Sequence, residues 1–379
     1  MAAVVSRPFL KKSLPLLSIV VGILAAHSAR ADAGDWELGP FTRPENPTPI
    51  IKPDPAATFD CPMRGQPVHW EATHTFNPAA IVKDGKVYIL YRAEDDSGHS
   101  LGGYTSRLGL AVSDDGIHFR QMPHPVLYPD NDSQKANEWT GGCEDPRCVE
   151  TEDGTYVLFY TEYAHRPPKL GMATSRDLVH WTKCGPVNGL DSSGSLVQPS
   201  KSASLVCAVR DGRIVASRIG GKYWLYYGEG AIRLLTSPDL HTWTPAPKFN
   251  LPPRAGHFDS GLAECGPPAL LTGKGIVLLY NGKNAGPPRG DPKLPTGVYS
   301  DGQALFDAND PSRLIARAEN PFFKPEQPWE ATGQYTAGTT FIEGLVLFHQ
   351  KWFLYYGCAD TYVGVATAPL KPGEAPGSR

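Results

Sequence analysis

The sequence lacks the marks of several common protein classes. It has no CxxC pair, so neither a structural zinc site nor a thioredoxin-type centre is indicated. Its seven cysteines (Cys61, Cys143, Cys148, Cys184, Cys207, Cys265 and Cys358) are scattered and odd in number, which excludes a complete intrachain disulfide framework. Most of them read as small buried apolar side chains. Charge of either sign is not in excess. A formal net charge of −3 over 379 residues gives no reason to expect nucleic acid or an anionic membrane as partner. No group of His, Cys, Asp and Glu has convincing ligand spacing, so no metal and no cofactor are expected.

The apolar run from Leu14 to Ala26 is shorter than the roughly 20 residues a bilayer-spanning helix needs. Arg7, Lys11 and Lys12 precede it and Ala29-Arg30-Ala31 follows, the layout of a secretory signal peptide. Residues 1–31 are therefore expected to be removed, exporting the rest to the periplasm or the extracellular space. No cysteine stands at the cleavage point, so no membrane anchor is expected after cleavage. Nothing in the sequence specifies an oligomeric state.

What the chain does have is glycine (39) and proline (37), distributed between short apolar runs, a pattern of many strands and turns. Ser113-Asp114-Asp115-Gly116-Ile117-His118-Phe119 recurs as Ser175-Arg176-Asp177-Leu178-Val179-His180-Trp181 and as Ser237-Pro238-Asp239-Leu240-His241-Thr242-Trp243, each time 62 residues on. Upstream of each copy an apolar strand, a tight turn and a Tyr-rich strand follow one another, and two more such hairpins come later (PALLTGKGIVLLYNG and GLVLFHQKWFLYYG). Turns such as Asp84-Gly85, Asp153-Gly154 and Gly220-Gly221 suit hairpins. Five hairpins at a period of about 60–70 residues predict an all-β, five-bladed β-propeller over residues 73–370. The Pro-rich residues 32–72 are expected as an extended segment packing on it, with 371–379 a flexible tail.

If the first strand of each blade lines the channel, the residues before first strands and after second strands meet on one face. There stand Asn77, Glu144, Asp145 and Glu264, then Arg92, Glu94, Asp95, Glu162, Glu229, Asn281 and Asp360. A carboxylate-rich ring of this kind suits glycosidic chemistry.

The segments Phe76-Asn77-Pro78-Ala79-Ala80, Tyr91-Arg92-Ala93-Glu94-Asp95, Gly142-Cys143-Glu144-Asp145-Pro146-Arg147, Tyr299 to Asp307 and Tyr355-Tyr356-Gly357-Cys358-Ala359-Asp360 resemble glycoside hydrolase family 130, in the right order from about Phe41 to Ala368. The resemblance implies an inverting enzyme acting on β-mannosides, with a mannose-containing oligosaccharide as substrate and Asp145 as general acid. A neighbouring carboxylate, Glu144, is expected to raise the Asp145 pKa.

Phosphorolysis needs a cationic pocket for a dianion, whereas hydrolysis needs a second carboxylate to deprotonate water. The family's phosphorylases typically read Tyr-His-Gly where this chain reads Tyr280-Asn281-Gly282. Glu229 and Glu264 stand where the hydrolytic group carries carboxylates, which favours an exo-acting hydrolase, with Glu264 as base and Glu229 as its orienting partner. The hydrolytic relatives favour β-1,2 linkages. Arg92, Arg147 and Lys201 keep a phosphorylase open as the alternative, and a non-catalytic glycan-binding propeller is the third reading. Asn77, Arg92, Asp95 and Asp360 are candidates for binding the sugar hydroxyls. Trp70 and Tyr335 are candidate stacking rings, and His74, His257 and Asp259 are weaker candidates.

Overall fold

In a computed structural model of the chain, residues 1–3, 35–98, 102–190, 196–197, 199–246, 249–372 and 374 are described. The expected leader lies almost wholly outside the described residues, as does most of the tail. Trp36 to Arg379 forms one compact unit. Among the described residues its regular secondary structure is nearly all strand, with one short α-helix, Lys135–Glu138, and one 3-10 turn, Pro328–Glu330.

Apart from two short pairs, Phe59–Cys61 with Gln66–Val68 (a hairpin inside the segment expected to be extended) and Gly189–Leu190 with Leu196–Val197, the strands form five successive antiparallel meanders. The first runs His74–Lys83, Lys86–Glu94, Ser106–Ser113 and Arg120–Gln121. The second runs Gly142–Glu150, Tyr156–Tyr163, Lys169–Ser175 and Thr182–Pro186. The third pairs Ala203–Arg210 with both Arg213–Ala216 and Tyr223–Tyr227, then adds Arg233–Ser237 and Thr244–Pro245. In the fourth, the first strand is broken into Leu262–Cys265 and Ala269–Thr272, followed by Gly275–Lys283, Tyr299–Phe306 and Leu314–Arg317. The fifth has Thr340–Phe348, Lys351–Cys358 and Tyr362–Pro369, and the N-terminal segment joins its edge through bridges Thr42 to Thr367 and Ile51 to Val363.

Each meander touches the next. Ser106 pairs with Gly142, Glu150 with Val215, and Val206–Ala208 with Ala269–Leu271. The Asn281 side chain bonds the Ile342 backbone, and Thr75 N–H donates to the Thr361 carbonyl at 3.1 Å, bringing the fifth meander back to the first.

The 62-residue repeat has a local cause. Asp115 Oδ1 accepts the backbone N–H groups of Ile117 and His118, each at 2.8 Å, and Asp177 does the same for Val179 and His180. Asp239 repeats it with His241 and Thr242, so a side-chain turn closes each outer hairpin. The inner turns use left-handed residues, as at Asp84 (φ 51°) and Gly85 (φ 71°), but the fifth manages with His349 (φ 49°) and Gln350 (φ 59°) and no glycine.

Packing between strands repeats as well. Tyr91, Tyr160, Tyr280 and Tyr356 on second strands face Gly109, Gly171, Gly302 and Gly364 on third strands. A Cβ at Gly109 or Gly302 would lie 2.3 Å from the facing tyrosine ring, so only glycine fits there. These four buried hydroxyls donate to Glu71, Glu138, Asp259 and Glu330 respectively, at 2.7–2.9 Å. Burying a phenol this deeply without a partner would cost on the order of 1–3 kcal/mol, so each acid locks its blade-like sheet. All seven cysteines are free thiols, and six are buried.

Candidate active site

Three first strands carry a bulge near the start. The pairing skips Asn77 between Phe76 and Pro78, Asp145 and Pro146 between Glu144 and Arg147, and Glu343 between Ile342 and Gly344. Asn77 and Asp145 both take φ 48°, a left-handed conformation that asparagine and aspartate tolerate better than other side-chain-bearing residues. The following prolines have no N–H to give to the ladder, which is why an Asn-Pro or Asp-Pro pair inside an apolar strand produces a bulge. The bulge re-aims the polar side chain. Asn77 and Asp145 both enter a pocket of about 320 Å³, where Asn77 Nδ2 donates to Asp145 Oδ1 at 2.8 Å.

Asn77, Arg92, Asp145, Lys201, Glu229, Glu264 and Asp360, from all five meanders and the turns beside them, line this pocket. Two cations organise it. Arg92 lies 2.7 Å from Glu94, 2.9 Å from Glu144 and 3.2 Å from Asp145. Lys201 Nζ lies 3.5 Å from Glu264, 3.7 Å from Glu229 and 3.9 Å from Asp145. Both cations have raised pKa values: burial opposes their charge, but the surrounding carboxylates outweigh it.

The acids divide sharply. Burial works to raise the Asp145 carboxyl, but Arg92, then Lys201 and Arg147, with the Asn77 hydrogen bond, hold it down at about 2. Burial raises Glu144 to about 7 against Arg92, and the Asp145 charge adds to the rise. The expected relation is thus reversed: Glu144 is the group held up, and Asp145 the one held down, because Asp145 reaches more cations. Asp360 is likewise raised to about 7 by burial, against the pull of Arg92. Burial also raises Glu264, against Lys201. Glu264 is 1% exposed and Glu229 39%.

Three expected binding residues do not reach the pocket. Asp95 is fully buried against Arg107 at 2.9 Å and accepts Ser97 N–H at 3.1 Å, because Arg92 and Glu94 share one face of their strand and Asp95 falls on the other. Arg147 turns away to Glu343 at 2.8 Å and the Cys265 carbonyl at 2.8 Å. Asn281 spends both side-chain atoms on the Ile342 backbone, at 2.7 and 3.2 Å, bracing the fourth meander against the fifth. Among the weaker candidates, Trp70 is wholly buried and His74 bonds Thr361. His257 pairs with Glu319, and Asp259 is one of the tyrosine locks. Tyr335 does line the pocket.

The structure adds Tyr163, Lys283, Tyr299 and Phe341 to the wall. Lys283 Nζ lies 5.2 Å from the Tyr299 ring centre and 5.3 Å from that of Tyr335, within cation–π range. The signal for this wall was weak, since single Tyr and Lys residues at strand ends are common in any sheet. A larger cleft of about 660 Å³ lies between the outer strands of the first two meanders, away from every carboxylate–cation cluster of the pocket.

Residues 42–372 match the family model described as beta-1,4-mannooligosaccharide phosphorylase of glycoside hydrolase family 130. The chain is 34% identical over 307 residues to the 1,2-beta-oligomannan phosphorylase of Thermoanaerobacter sp. (strain X514), covering 80% of this chain and 92% of that protein. It is 50% identical to a glycosyl hydrolase from Bacteroides ovatus of solved structure, with a TM-score of 0.85, 90% of this chain and 97% of the other being covered. A further solved structure, 51% identical with a TM-score of 0.85 and coverage of 90% and 98%, is described by the finding that the family of mannoside phosphorylases contains glycoside hydrolases that target beta-1,2 mannosidic linkages in Candida mannan. The ordered motifs, the bulged Asn77 and Asp145 and the match over nearly the whole compact unit agree, and the chain belongs to glycoside hydrolase family 130, a family of mannoside phosphorylases and hydrolases.

Proposed function

We propose that the chain is an exported, exo-acting, inverting hydrolase of β-1,2-linked manno-oligosaccharides, built as a five-bladed β-propeller. The observation that carries the reading is that five carboxylates (Glu144, Asp145, Glu229, Glu264 and Asp360) line the pocket against three cations, and that Arg92 and Lys201 are each already matched by three acids. A phosphate dianion would have to displace those contacts and face the remaining negative charge. At an effective dielectric near 20, each like-charge pair at 4 Å costs about 4 kcal/mol. A neutral water faces no such barrier, and the same carboxylates serve it.

Glu264 is the base, as the more buried of the two glutamates on Lys201, and Glu229 orients the water. Asp145 and Glu264 both lie within 4 Å of one ammonium. Their separation is thus under about 8 Å, which admits the roughly 6.5–9.5 Å spacing of inverting sites. The leaving oxygen takes its proton from the Glu144–Asp145 side of the pocket, where Arg92 lies 2.9 Å from Glu144 and 3.2 Å from Asp145. The 50–51% identity to relatives described as a glycosyl hydrolase or under β-1,2-mannoside hydrolysis supports the same assignment. Export rests on the basic, apolar and small-residue layout of residues 1–31.

Phosphorolysis is the second reading. It is favoured by Lys201 and Lys283 on the pocket wall and by the phosphorylase at 34% identity. Incubating the enzyme with β-1,2-mannobiose with and without phosphate decides between them. Free mannose in both arms is expected, and phosphate-dependent mannose 1-phosphate would overturn the proposal. Proton NMR in the first minutes should show α-mannose, as single displacement at a β-linkage requires.

A further inference from the structure

We propose that Ser202 is a positioning residue that occupies one oxygen of Glu264, leaving Oε2 as the atom that takes the proton from the attacking water. This rests on Glu264 being the base.

Ser202 is 1% exposed, and its Oγ donates a short hydrogen bond to Glu264 Oε1. The Lys201 ammonium faces the same oxygen at 3.5 Å. Among the described residues, every hydrogen bond and ion pair of the Glu264 carboxylate falls on Oε1. A carboxylate with one oxygen engaged by a hydroxyl and an ammonium cannot rotate freely, and its remaining lone pairs lie on the other oxygen. In the reaction a water O–H bond breaks, its proton goes to Oε2 and the water oxygen bonds the anomeric carbon. The glycosidic C–O bond breaks, and the leaving oxygen is protonated from the Glu144–Asp145 side.

The backbone shows how Ser202 is set. It takes φ 59°, and Gly228 N–H donates both to its carbonyl at 3.0 Å and to that of Lys201 at 3.2 Å. This turn links the residue before Glu229 to the two residues that hold Glu264. The charged and titratable groups facing Glu264 are Lys201 and Glu229 of the third meander, Arg147 of the second and Glu343 of the fifth. Tyr299 of the fourth completes the set.

The test compares Ser202→Ala, Ser202→Gly and Glu264→Gln in the full enzyme on β-1,2-mannobiose. Removing a hydrogen-bond donor from an ionised carboxylate destabilises its charged form, so its pKa rises. Both Ser202 variants should lower kcat about tenfold with KM little changed, and should move the acid limb of the pH profile up by about one pH unit. Glycine relieves the left-handed backbone, so a role confined to backbone shape would be lost in Ala and restored in Gly. That pattern, or a fall in kcat with an unmoved acid limb, would overturn the inference. If Glu264→Gln is inactive while both Ser202 variants behave as the parent, only the Ser202 inference fails. If Glu264→Gln keeps the parent turnover, the base assignment itself fails.

Discussion

In the fourth meander Asp259 is fully buried between two guanidinium groups, Arg254 at 3.1 Å and Arg317 at 2.6 Å, and accepts the Tyr280 hydroxyl at 2.8 Å. In the pocket the ratio is reversed: Arg92 alone faces Glu94, Glu144 and Asp145. Glu330, held by Arg43 and Tyr356, and Glu138, held by Lys183 and Tyr160, follow the Asp259 pattern. A buried acid whose oxygens are taken up by a full set of donors has nothing left to offer a substrate. Acids crowded on one cation are held at spread pKa values, which is what a proton-transferring site requires.

The largest effects should come from the crowded acids. Asp145→Asn should lower turnover of β-1,2-mannobiose by about 10²–10⁴ while leaving the melting temperature nearly unchanged, because the amide keeps the shape and cannot cycle a proton. Parent-like turnover in this variant would end the claim that the pocket acids are catalytic.

The locks should show the opposite profile. Asp259→Ala leaves two half-buried guanidinium groups and a buried phenol without their carboxylate, and should destabilise the fold by about 3 kcal/mol in denaturant titration. Activity per folded molecule should stay within a few-fold.

Asn281→Ala removes two backbone-directed hydrogen bonds and should cost about 1–3 kcal/mol, with the reaction still independent of phosphate. A phosphate requirement in Asn281→His would place that side chain in the pocket after all.

The smallest effect is in pH dependence. Glu144 and Asp360 are raised to about 7 in the fold by burial, so the folded chain binds more protons than the unfolded one between roughly pH 4 and pH 7. Stability therefore falls as pH rises through that window, and the loss is complete above about 7. Glu144→Gln and Asp360→Asn should each flatten the slope of melting temperature against pH.

Much of this architecture was legible because it is local. The Ser-x-Asp turn needs only a few consecutive residues, and its three copies 62 residues apart announced repeated sheets before any contact was known. Asp145, Glu229 and Glu264 were legible as a set because residues before first strands and after second strands come together at one end of the sheets, although the same rule also put Asn281 there, whose side chain is spent on the Ile342 backbone. Asp95 was misplaced by one residue, and in a strand one residue is the difference between two faces. Arg147 was misplaced because the bulge at Asp145 shifts the parity of everything after it.

By itself, then, the sequence determined the class of the sheets, their number of hairpins and the residue types around the pocket, since hydrophobic period and turn chemistry act over a few bonds. Only the tertiary structure decided which charges meet. Glu144 and Asp145 are chain neighbours of like chemistry, yet one is raised to about 7 and the other lowered to about 2. Burial pushes both carboxyls up; at Asp145 it is outweighed by Arg92, Lys201 and Arg147 with the Asn77 hydrogen bond, at Glu144 it is not, and a charge that arrives through space has no signature in the residues next to the one it acts on.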